Sequence, residues 1–165
     1  MSIGFRAITG LMFSFAVIAC SMAITSLKEQ GAYPSPGQMC AAVLTVSPQG
    51  GFLQLSVQTS AGKLVHKADD VAGFLWANEK SLVFSSGPIY GKPGVFEVTC
   101  DSEQPILKML VGPKNINSAY PDGADYFELK EMKGRNLQFF YGVDVDGIDF
   151  NEFRTEKYSR SILLP

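Results

Sequence analysis

From about residue 40 onward, apolar positions recur along the chain with a period of two. In 52–59, Leu53, Leu55 and Val57 alternate with Gln54, Ser56 and Gln58, so one face is apolar and the other wetted, as in a strand half-covered by a core. The preceding segment, 40–46, joins it through Ser47-Pro48-Gln49-Gly50-Gly51, and two apolar runs flanking such a connection read as a hairpin. The same reading predicts strands at 63–67, 81–85, 95–100, 106–111, 126–132, 136–145 and 148–153. Turns are expected at Ala61-Gly62, Asn78-Glu79-Lys80, Lys133-Gly134 and Asp146-Gly147, where Gly and Asn relieve the steric limits of a tight reversal. Helical signals are weak. Residues 71–77 are expected to form a single turn, and 154–161 is polar enough for a short surface helix or a closing strand. Short strands at this regular spacing predict an all-β domain of antiparallel sheets, arranged as a sandwich, a barrel or packed blade-like sheets.

Residues 76–99 carry a resemblance. Trp76-Ala-Asn-Glu-Lys-Ser-Leu-Val-Phe-Ser-Ser86, the loop Gly-Pro-Ile-Tyr-Gly-Lys-Pro-Gly and the returning Val-Phe-Glu-Val-Thr99 resemble one blade repeat of the TolB type of β-propeller. In that repeat a polar turn precedes a strand, a loop containing Gly-Lys-Pro follows, and a second strand returns. The stretch lacks the Pro-Asp-Gly turn of that family, and the chain has no equally good second copy. The resemblance implies at most a fragment of propeller architecture, because four blades of about 40 residues each are needed to close a ring.

The N-terminal end has a different character. Residues 7–27 are an uncharged run between Arg6 and Lys28, the layout of a secretory signal. Three fates are open to it. Ser21-Met22-Ala23 offers small residues for simple cleavage, giving a signal over 1–23. Val17-Ile18-Ala19-Cys20 resembles the lipobox of bacterial lipoproteins, which makes Cys20 a lipidation candidate. The run is also long enough to remain as a membrane anchor, although its Ser, Thr and Gly make it a mediocre span. Residues 24–39, with Gly31-Ala-Tyr-Pro-Ser-Pro-Gly37, are expected to be a tether ahead of a single β domain at 40–165.

Three cysteines fit the same picture. With Cys20 in the signal, Cys40 and Cys100 remain as a pair, which an oxidising compartment would bridge. Such a bridge stabilises a small domain by about 4 kcal/mol in the chain-entropy model. A periplasmic or cell-envelope location is therefore expected.

Composition narrows the partners. The 165 residues include 14 Lys+Arg and 16 Asp+Glu, a formal charge of -2, and no basic cluster offers the face that nucleic-acid binding requires. At 46% hydrophobic and 18% charged the chain has too much apolar material for general disorder.

Catalytic groups are scarce. His66 is the single histidine; Asp69 or Asp70 could orient it and Ser85 or Ser86 could serve as nucleophile, but no Gly-x-Ser-x-Gly elbow presents either serine. The acidic stretch 144–153 ends in Ile148-Asp-Phe-Asn-Glu-Phe153, like the closing half of a calcium loop. A twelve-residue loop ending at Glu152, however, would place Val143 and Val145 at ligand positions. A hairpin at Asp146-Gly147 explains the same letters. Neither a metal nor a cofactor is expected, and one histidine with a bridged cysteine pair supports no zinc site.

The most informative remaining feature is the loop 85–94, where Ser85, Ser86, Tyr90 and Lys92 stand among Gly and Pro residues that limit its freedom. Tyr120 in 115–123 is a second aromatic loop residue. These five are the candidate partner-binding residues. The expectation is a non-catalytic exported protein that binds another protein of the cell envelope, as an inhibitor or as an immunity protein against a toxin enzyme. An envelope assembly or scaffold lipoprotein is the alternative.

Overall fold

Strands that follow one another through short turns pair with their neighbours in sequence, and the fold is built this way throughout. The computed structural model describes residues 29–48, 50–87, 92–100, 105–113, 126–146 and 153–164. Their strands form three antiparallel sheets. The first holds β1 (Gly31–Pro34), β2 (Cys40–Val46), β3 (Leu53–Thr59) and β4 (Leu64–Asp69), in that order. The second holds β5 (Val71–Trp76), β6 (Ser81–Ser86), β7 (Gly94–Thr99) and β8 (Ile106–Val111), again in chain order. In the third, β10 (Asn136–Asp146) lies between β9 (Tyr126–Lys133) and β11 (Phe153–Leu163). The all-β class is thus observed, as successive blade-like meanders.

Local chemistry sets the turns. Gly62 and Gly134 adopt φ of 77° and 59°, a left-handed conformation that costs a residue without Cβ little. The Asn78 side chain accepts hydrogen bonds from the backbone N–H of Lys80 and Ser81 at 2.9 and 2.8 Å and so ties the β5–β6 turn.

Two apolar cores hold the sheets face to face. Leu44, Leu55 and Val57 from the first sheet meet Phe74, Phe84 and Val98 from the second. On the opposite face of the second sheet, Leu75, Val83 and Val95 meet Phe127, Leu129 and Phe139 from the third. The second sheet is therefore a central layer covered on both sides. All six residues of β6 are buried, because successive side chains of one strand feed different cores.

Three expectations are corrected. Residues 71–77 form no helical turn but the strand β5, since a short apolar run buried on both faces carries no period that separates strand from helix. The expected tether contains β1, whose register with β2 runs from Gly31↔Leu44 to Pro34↔Ala41. Tyr33 sits edge-on to Phe74 with ring centroids 5.3 Å apart, and the Trp76 indole N–H donates to the Tyr33 carbonyl at 3.1 Å. Pro34 is tolerated because β1 is an edge strand, where a missing N–H breaks no ladder. Finally, Asp146 pairs with Phe153, a register that excludes a two-residue turn at Asp146-Gly147; residues 147–152, and with them most of the strand expected at 148–153, lie outside the described set. The 154–161 alternative resolves in favour of the closing strand, within β11.

Candidate functional site

The site begins at the junction of the first two sheets. Asp70 alone links β4 to β5 and takes a left-handed φ of 54°, which turns the chain sharply from one layer into the next. The Gly87 N–H donates to the Asp70 carbonyl at 2.8 Å, and the Ser86 hydroxyl donates to the Asp69 carbonyl at 3.2 Å. These bonds hold the end of β4 against the end of β6. They bring His66, Lys67, Ala68 and Asp69 opposite Phe84, Ser86 and Phe96, with Lys92 and Leu107 completing a cleft of about 310 Å³.

Its floor is aromatic. Phe84 and Phe96 stack at 5.3 Å with 19° between their planes, and the His66 ring lies 5.8 Å from Phe84. Burial beside these rings lowers the His66 pKa from its ordinary value, since a cation there loses hydration. The imidazole is therefore neutral at neutral pH, and the positive charge of the cleft belongs to Lys67 and Lys92, both exposed. The Asp69 carboxylate, the acidic group of the lining, accepts a hydrogen bond from the Gln54 side-chain amide at 2.5 Å.

The candidate residues separate in space. Ser86 and Lys92 line the cleft, but Ser86 is a buried β6 residue whose hydroxyl is already engaged. Ser85 belongs to β6 as well, at 0% exposure. It points to the other face of the central sheet, beside Gly73 and Leu129, and its hydroxyl has no partner among the described residues. Ser85 and His66 thus stand on opposite faces and form no dyad. Tyr90, Tyr120 and Cys20 lie outside the described residues, as does 147–152 of the acidic stretch. Among the described residues no three His, Cys, Asp or Glu side chains converge on a metal-sized site.

Cys40 and Cys100 lie at disulfide distance, with sulfurs 2.12 Å and Cα atoms 6.4 Å apart. They join the start of β2 to the residue after β7, so the bridge connects the first sheet to the central one next to the core they share.

Sequence reasoning missed the outer wall of the cleft. β8 has β7 as its one partner among the described strands, and its other edge has no partner among the described residues. Ile106, Leu107 and Met109 are 61%, 48% and 41% exposed. The pairings Leu107↔Val98 and Met109↔Phe96 put these two side chains on the cleft face. In Ile106-Leu-Lys-Met-Leu-Val111 the one signal of an exposed edge strand is Lys108, and the apolar residues around it do not show which of them are exposed.

Fold and site together define a three-layer stack of antiparallel meanders, with a cationic, aromatic-floored cleft beside an apolar sheet edge. Compared with known proteins, the chain matches no family model, no curated sequence and no solved structure.

Proposed function

We propose that this is a non-catalytic, exported protein that binds another protein of the cell envelope, and that β8 and the adjoining cleft form its binding surface. The observation that carries the reading is the exposed, apolar edge of the central sheet, which has no strand partner among the described residues. Natural sheets ordinarily protect such edges with charge, proline or a covering segment, and clustered exposed apolar residues mark interaction sites. In its most concrete form the protein inhibits its partner, as an immunity protein does against a toxin enzyme, because strand addition and a filled cleft block a target without chemistry. The scaffold-lipoprotein reading is favoured by Val17-Ile18-Ala19-Cys20 and would be distinguished by acylation of Cys20.

The test compares the disulfide-intact protein with Leu107→Asp as paired baits in envelope extract, followed by titration of the purified partner. Since Leu107 is half-exposed, the substitution should leave the melting midpoint nearly unchanged while weakening the partner complex by about 2 kcal/mol. A partner held equally by both baits would place the binding surface elsewhere.

A further inference from the structure

The cleft lies directly beside the apolar edge, and its charge says what would enter it. We infer that it is a subsite for one acidic side chain of an extended partner segment lying along β8. The inference rests on the binding reading above and specifies the chemistry of the occupant.

Three observations converge. The six residues of β8 leave one row of backbone N–H and C=O groups without a strand partner among the described residues. An extended segment satisfies such a row through main-chain hydrogen bonds, and alternate side chains then select the sequence. Leu107 is shared by this edge and the cleft, so a long side chain on the cleft face of an added strand lies over Leu107 and extends from there into the cleft. Around that position stand Lys67 and Lys92, neither in an ion pair with a described residue, while His66 is held neutral by burial. The lining sets these two lysines against a single carboxylate, Asp69, so its net charge stays positive; the Asp70 carboxylate, outside the lining, sits against Gly87.

A glutamate suits this place best. Its methylenes lie on Leu107 and its carboxylate extends toward the lysines, and such charge complementarity fixes register and raises the association rate. A second copy of the chain fits poorly. β8 contains Lys108 and no carboxylate, so pairing of β8 with itself offers nothing acidic to the cleft.

The probe is a display library of random ten-residue peptides, selected on the full, disulfide-intact chain. Recovered peptides should alternate apolar residues and carry Glu or Asp at one position. The double variant Lys67→Glu/Lys92→Glu should bind those peptides at least about tenfold more weakly and select Lys or Arg there instead. Both lysines are exposed, so its melting midpoint should match the parent. Peptides without acidic preference, the same peptides recovered by the double variant, or no peptides at all would each overturn the inference. So would a dimer in sedimentation that Leu107→Asp dissociates, which would assign β8 to a copy–copy contact. The wider binding reading fails separately, when Leu107→Asp leaves capture of the envelope partner unchanged.

Discussion

Val83 and Phe84 are adjacent in β6, and the three-layer arrangement requires that both be core residues. Val83 is 0% exposed and faces the third sheet; Phe84 is 2% exposed and faces the first. Val83→Ala removes two buried methyl groups at about 0.8 kcal/mol each. A residual cavity adds to this, for a total of about 2 kcal/mol. Phe84→Ala should cost more, about 3–5 kcal/mol, because it also removes the ring stacked on Phe96. In a two-layer sandwich one of two consecutive residues would face water, and its truncation would change stability by no more than about 0.5 kcal/mol. Urea unfolding can be followed by far-UV circular dichroism and by the fluorescence of Trp76, the single tryptophan, which lies in the first core. If the layers unfold together, Val83→Ala shifts the Trp76 transition although its own contacts lie on the opposite face. A Val83→Ala protein within about 0.5 kcal/mol of the parent would refute the three-layer reading, whereas a Trp76 transition that does not move would show that the layers unfold separately.

Ser85→Ala should raise stability by about 1 kcal/mol in the same melts, because it removes a fully buried hydroxyl that has no described partner; a loss of stability would show that the hydroxyl is satisfied. Cys40→Ser should lower stability by about 2–5 kcal/mol, and mass spectrometry of unreduced exported protein should find the Cys40–Cys100 bridge intact, two free thiols being the contrary result. His66 provides a pH test. Burial depresses its folded pKa below 6.5, so the unfolded chain takes up the proton first. The stability it contributes is complete above about pH 6.5 and is lost as pH falls from there through the folded pKa. His66→Gln should flatten that part of the stability curve between about pH 7.5 and 5.5, and parallel curves for the two proteins would count against the effect.

The alternation of Leu53, Leu55 and Val57 with polar neighbours was sufficient to predict β3 and its pairing with β2, because a strand with one covered face writes its period directly into the chain. The paired cysteines and the turn residues Gly62 and Gly134 could be read in the same local way. β5 and β6 could not be read so fully. Covered on both faces, β5 is a nearly continuous apolar run and β6 sets Leu82, Val83 and Phe84 among three serines, and only the stacking of three sheets determines which residue enters which core. Stacking also decided that Ser85, which the sequence placed both at the end of a strand and at the start of a loop, is interior, and that Tyr33 belongs to a strand in a segment with the composition of a tether. The cleft depends still more on tertiary structure. His66, Lys67, Phe84, Phe96, Lys92 and Leu107 come from β4, β6, β7, β8 and the segment before β7, and they meet because Asp70 folds one meander onto the next. The same packing leaves Ile106, Leu107 and Met109 of β8 exposed, and exposure depends on what a strand packs against, which its own residues record only in part.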